Sequence, residues 1–235
     1  MTHDARINRT AARLFGIFFI LAFASYGAGS GLVASVADNA DGLAGIHDVR
    51  GKLITGVLLI AIVHSIVNIG LSVLVYPVLD AKNGFLARGY FAAGITATTT
   101  AVIGALFLSL LAPLCAAYVT DGTGAPYYDA IAYVLKQGGF YGYQISMTLW
   151  GVGGLMLCYA LHAYRLVPRL LAVWGGLGYV VFMAGTTAEM FGARIGVMLA
   201  LPGGLFELTL SVWLILKGFN VALDRDEGGL VQVAA

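Results

Sequence analysis

Charge is scarce in this chain. Lys, Arg, Asp and Glu make up 11% of its 235 residues, against about 25% in soluble domains. With 60% hydrophobic residues and a mean hydropathy of +0.88, the chain lacks the polar surface that a water-soluble fold requires. The formal net charge is +1 and no basic run exists. That excludes the electrostatic footprint of a nucleic-acid binder. Cysteine is equally rare. Cys115 and Cys158 both lie inside apolar stretches, one near the outer and one near the inner surface on the topology below. A disulfide needs Cα atoms within about 7 Å, so the two are expected to stay unpaired. No Cys/His spacing suits a metal, and neither a metal nor a cofactor is expected. The enzyme signatures of soluble folds are missing too. There is no Gly-x-x-x-x-Gly-Lys-Ser/Thr phosphate loop and no His-Glu-x-x-His zinc pair. Gly29-Ser30-Gly31 lacks the strand–elbow–helix setting of a nucleophilic serine.

What is present is a series of six long apolar stretches, over residues 12–37, 53–79, 89–118, 140–164, 170–190 and 196–219. About 20 residues cross a bilayer core as a helix, and no stretch alternates at period two as a barrel strand would. The expectation is an all-α, polytopic integral membrane bundle of six transmembrane helices, filling residues 12–219 between tails at 1–11 and 220–235. The third stretch is long and is expected to tilt, or to end near Pro113. The first has a second reading as a signal peptide, because Arg6, Arg9 and Arg13 precede an apolar run that reaches Ala22-Phe23-Ala24. Apolar and small residues continue to Ala37, which favours a retained helix.

Orientation follows from basic residues. One set of connecting segments holds nine of them (Arg6 to Arg13, Lys82, Arg88, Arg165, Arg169, Lys217 and Arg225), and the opposite set holds four. The positive-inside rule places both termini in the cytoplasm. In the first outer loop Asp38, Asp41, His47 and Asp48 resemble oxygen-rich cation loops. The twelfth position is Val49, where an EF-hand needs glutamate, and the loop reads as solvated. In the second outer loop Asp121-Gly122-Thr123-Gly124-Ala125-Pro126 signals a turn. Tyr127, Ile131, Val134 and Leu135 then fall at helical spacing, and a short helix lying in the outer interface is expected there.

Two ionisable residues stand near the centres of spans. Glu207 lies ten residues above Lys217, and His64 twelve residues below Lys52, so both are about 15–18 Å deep at 1.5 Å per residue. Hydrocarbon penalises ionisable groups by at least about 2.5–3.5 kcal/mol for the worst types at a helix centre. Tyr26, Asn68, Thr98, Thr99, Thr100 and Tyr179 share that level. Polar residues recur on one face of three spans: His64, Asn68 and Ser72; Gln144, Thr148 and Gly151; Gly203, Glu207 and Ser211. Polar stripes in lipid turn inward, and all three are expected to meet at a common centre, with His64 and Glu207 in reach of each other. Pro202 either kinks the sixth helix or begins it. Gly151-Val152-Gly153-Gly154 and Gly175-Gly176-Leu177-Gly178 read as close-packing helix faces, which also offer a route to a homo-oligomer.

The order of features resembles the bacterial domain-of-unknown-function 4386 family of multi-span membrane proteins. The resemblance rests on Arg13 followed by Leu-Phe-Gly-Ile-Phe-Phe, on 74–80 closing the second span, and on Leu166-Val167-Pro168-Arg169-Leu170-Leu171 before Gly176-Leu177-Gly178-Tyr179. It ends on Glu207 ahead of Trp213-Leu214 and Lys217-Gly218. The chain departs from it at His64 and Gly153, where the family often carries an acidic residue and a histidine. The resemblance implies fold and topology and supplies no activity.

The residues put forward as ligand-binding or proton-linked are therefore His64, Asn68, Gln144, Tyr179 and Glu207. Three functional classes fit them. The preferred one is binding or transport of a small or lipid-like molecule at a polar site near the midplane, with membrane lipid as the surrounding partner. The second is a membrane-embedded enzyme using Glu207 and His64 as acid and base on a lipid or prenyl substrate. The third is a structural subunit in which Glu207 merely ties helices together.

Overall fold

The computed structural model describes residues 3–37, 42–121 and 126–220. Every regular element among them is helical. The first span is α1 (His3–Ala37). A short helix, α2 (Gly42–Asp48), follows it. The second span is continuous over Arg50–Asp80 and is built from α3 (Arg50–Leu58), a π-helical turn (Leu59–His64) and α4 (Ser65–Asp80). The third is α5 (Gly84–Ser109) with α6 (Leu111–Asp121). The fourth, fifth and sixth are α7 (Pro126–Ala163), α8 (Arg169–Met190) and α9 (Gly196–Leu216). Six of these helical segments are long and apolar enough to cross a membrane. The chain is a multi-pass integral membrane protein, and an even span count puts its two ends on one side.

Each span packs on its neighbours in sequence. α1 packs on α3 and α4, α4 on α5, α5 on α7, α7 on α8 and α8 on α9, while α9 returns to α1. The result is a closed ring of antiparallel helices. On the side of the chain ends the ring is tied by polar contacts. Arg13 Nε donates to the Ile215 carbonyl at 3.2 Å, Asn83 Nδ2 to the Tyr164 hydroxyl at 3.2 Å, and the Asn220 amide to the Leu166 carbonyl at 2.7 Å. Asn83 also caps α5, accepting from the Phe85 and Leu86 amides. On the opposite side Glu189 reaches across the turn and accepts from the Gly196 amide at 2.7 Å, satisfying one of the orphan donors at the start of α9.

The glycine-rich faces are consumed inside the ring. A side chain at Gly154 would collide with the Tyr179 ring, one at Gly175 with the Phe206 ring, and one at Gly178 with the backbone of Gly203. Gly104 and Gly142 bring α5 and α7 into backbone contact in the same way. Small residues let helices approach closely where lipid offers no hydrophobic drive to associate.

One expectation changes, and two alternatives are resolved. The tyrosine-bearing segment after residue 126 is no separate interfacial helix. It is the first part of α7, which runs unbroken for 38 residues. Gly138 and Gly139 pack under the side chains of Phe107 and Leu108 instead of breaking the helix, and Lys136 Nζ caps α1 by donating to the Ala37 carbonyl at 2.5 Å. The third span breaks at Leu110, because Pro113 has no amide to offer Ser109 and its ring crowds that carbonyl. Pro202 neither begins the sixth helix nor ends it, since α9 starts six residues earlier at Gly196. Cys115 and Cys158 are buried and free. Of the four outer-loop candidates for a cation, Asp38 and Asp41 lie outside the described residues, and His47 Nε2 is engaged by Arg50 Nη1 at 3.1 Å. The tail expected at 220–235 also lies outside them beyond Asn220.

Candidate functional site

A cavity of about 250 Å³ lies within the ring, with walls from α1, the second span, α7, α8 and α9. Seven of its sixteen lining residues are aromatic. Glu207 enters it from α9 and His64 and Asn68 from the second span. Tyr179 enters from α8, and Tyr143 and Trp150 from α7.

Glu207 is 9% exposed. Its Oε1 accepts from the Tyr179 hydroxyl at 2.5 Å and from the Trp150 indole N–H at 3.1 Å. Its Oε2 has no partner among the described residues. Two donors from two helices therefore converge on one oxygen and leave the other to the cavity. Tyr179 can reach because Gly154 makes room for its ring and Phe206 buttresses it edge-on, with centroids 5.9 Å apart. One turn further along α9, the Ser211 hydroxyl donates to the Glu207 carbonyl at 2.6 Å.

His64 closes the π-helical turn of the second span. Such a turn carries one extra residue and recurs at functional sites. Here it sets the register that brings His64 and Asn68 to the cavity. His64 Nδ1 lies 3.2 Å from the Ala22 carbonyl, which only an N–H can satisfy, and Asn68 Nδ2 donates to Nε2 at 2.9 Å. This pair of contacts assigns a neutral imidazole with its proton on Nδ1. The Ser25 hydroxyl stands 3.5 Å from the same nitrogen and donates to Ala22 itself. The Tyr26 ring covers His64 at 5.2 Å and stacks on Tyr143 at 5.3 Å, with planes 23° apart. The hydroxyls of Tyr26 and Tyr143 have no partner among the described residues.

The five sequence candidates separate as follows. His64, Asn68, Tyr179 and Glu207 line one cavity. His64 and Glu207 share no hydrogen bond, each having its own pair of partners. Gln144 is buried but does not line the cavity. Its stripe turns toward α8, where Thr148 bonds to Thr186 at 2.8 Å and Gly151 packs on Met183. The threonines at 98–100 each donate to the carbonyl four residues back, and Thr99 and Thr100 are not buried. The residues that sequence reasoning missed are Trp150, Tyr143 and Ser25. A signal for the first two exists: Tyr143, Met147 and Trp150 fall at i, i+4 and i+7, and all three line the cavity.

Comparison with known families fits this architecture. The model of a domain of unknown function (DUF4386) matches residues 14–218. The chain belongs to the DUF4386 family. The match covers five membrane-crossing segments in full and the first from Leu14 onward, and it includes every residue lining the cavity described above. No curated protein and no solved structure matches this DUF4386 chain. Among its described residues no group of three or more His, Cys, Asp or Glu is placed to hold a metal ion.

Proposed function

We propose that this DUF4386 protein binds or carries a small, largely apolar molecule in the Glu207 cavity, in a cytoplasmic membrane with both chain ends in the cytoplasm. One observation carries the reading: an aromatic chamber inside a membrane bundle holds a buried carboxyl group with one oxygen free. Ligand sites have this composition, mostly apolar walls with a few placed polar groups. Access supports a lipid-like occupant. Phe23 and Gly27 of α1 line the cavity yet are exposed on the flank of the ring, and Gly204 and Ala200 of α9 sit beside them, partly exposed. No neighbouring atom would meet a side chain placed at Gly27. A molecule dissolved in the bilayer thus meets the cavity between α1 and α9.

The acid–base alternative finds less support, because both nitrogens of His64 are already engaged by Ala22 and Asn68. The test uses Trp150, which touches Glu207 and lines the cavity. Titrating the purified protein with straight-chain alcohols of increasing length is expected to give a saturable change in tryptophan emission. The change should be largely lost in Trp150→Phe and weaken in Ala200→Phe, which fills the entrance without adding a tryptophan. A linear, unsaturable response shared by all three proteins would refute a binding site.

A further inference from the structure

We propose that the ligand of this cavity is a monovalent lipophilic cation, an amine or quaternary ammonium on an apolar body, held between Oε2 of Glu207 and the aromatic walls. The inference rests on the cavity being a binding site and adds the sign of the ligand's charge.

Three observations carry it. First, Glu207 is nine-tenths buried, and its two protein donors converge on Oε1 alone, so Oε2 faces the chamber unpaired. Oε2 is not among the fully buried atoms left without a partner, so it is reached from the chamber and is open to a ligand. Second, the walls carry no compensating charge. The lining contains no Lys or Arg, and the contacts of His64 to Ala22 and Asn68 hold its imidazole neutral. Third, the remaining walls are built from aromatic rings, including Tyr26, Tyr143 and Trp150 around the polar end. Ring faces are negative and attract cations, strongest at tryptophan and stronger still when desolvated.

Other ligand classes fit less well. An anion would meet the Glu207 carboxylate with no Lys or Arg in the lining to offset it. A purely apolar molecule would leave Oε2 unpaired. A hard divalent cation demands about six to eight oxygen ligands, usually several of them carboxylates, and the lining supplies one carboxylate with the Asn68 amide oxygen and tyrosine hydroxyls. A quaternary ammonium needs neither a shell of oxygens nor a hydrogen bond, only a counter-charge and aromatic surface.

The experiment measures binding to the purified full chain through Trp150 emission, with Trp150→Phe as the blank. The probes are phenyltrimethylammonium, its neutral isostere tert-butylbenzene, and benzenesulfonate. The cation is expected to bind at least about tenfold more tightly than the isostere, and benzenesulfonate not at all. Glu207→Gln keeps the shape and removes the charge. It should weaken the cation about tenfold or more and leave the isostere within about twofold. If Glu207→Gln does not fold, the wild-type ratio of cation to isostere decides alone. Equal affinity for cation and isostere would overturn the cation proposal while leaving an apolar binding site. Saturable binding of none of the three probes would overturn both.

Discussion

The hydroxyl of Tyr179 and the absent side chain of Gly154 form one device: the ring that donates to Glu207 at 2.5 Å occupies the space where any larger residue at 154 would stand. A glycine on α7 thereby holds a tyrosine of α8 onto a carboxyl group of α9.

Gly154→Ala should therefore act at a distance. Its methyl group displaces the Tyr179 ring, and overpacking of this kind costs about 1–3 kcal/mol. Thermal unfolding in detergent should show the loss, together with weaker cation binding. Gly31→Ala is the control, since a side chain at Gly31 meets nothing. It should be neutral, or stabilising by up to about 1 kcal/mol from helix propensity.

A double-mutant cycle should separate the partners of Glu207. Tyr179→Phe and Glu207→Leu, which removes the acceptor, are expected to be non-additive, with a coupling of about 0.6–1.7 kcal/mol, from the mean to the maximum found for interhelical hydrogen bonds in a membrane protein. His64→Ala and Glu207→Gln should add within about 0.5 kcal/mol, because the two side chains share no bond. Coupling as large at His64 as at Tyr179 would mean that the two join across the cavity.

Proton and cation should compete for Glu207. The titratable groups around it are Tyr26, His64, Tyr143 and Tyr179 in the cavity wall, with Tyr90 of α5 and Cys158 of α7 behind. Protonating the carboxyl group removes the charge that the ligand reads. Cation affinity should thus be flat on the alkaline side of the Glu207 titration and fall by about tenfold per pH unit on the acid side. Glu207→Gln should abolish the slope. A slope that survives in this variant would assign it to another group, His64 first.

Topology can be read by labelling. Ala81→Cys, in the exposed turn after α4, should resist a membrane-impermeant maleimide in intact cells, and Phe191→Cys, 88% exposed in the opposite turn, should react. Cys115 and Cys158 are buried and contribute little background. The reverse pattern would invert the bundle.

The spans were legible because apolar length is dictated by bilayer thickness. The fifth was expected at 170–190 and is observed at Arg169–Met190. The extended start of α7 was not legible, since Gly138-Gly139 looks like a helix break by propensity. In a bundle the backbone has no water to turn to, and the two glycines serve as seats for Phe107 and Leu108. Glu207, His64, Asn68 and Tyr179 stood out as polar groups in hydrocarbon. Trp150 and Tyr143 did not, because an aromatic residue in an apolar helix looks the same whether it faces lipid, core or ligand. Gln144 lies outside the cavity lining for a related reason. A polar stripe must face protein, but sequence does not say which neighbour, and this one faces α8.

A ring of six spans has six seams, and five of them are bridged by the short connections between consecutive helices. The seam between α9 and α1 alone has no covalent bridge. Arg13 meets Ile215 across it, and Gly16 meets Ser211. Phe23 of α1 and Gly204 of α9, both cavity-lining, face each other across the same seam. On the binding reading proposed above, these two helices are the pair that could part without stretching a loop and so let a ligand pass sideways. The order of the chain around the ring, as much as any single side chain, decides where this protein can open.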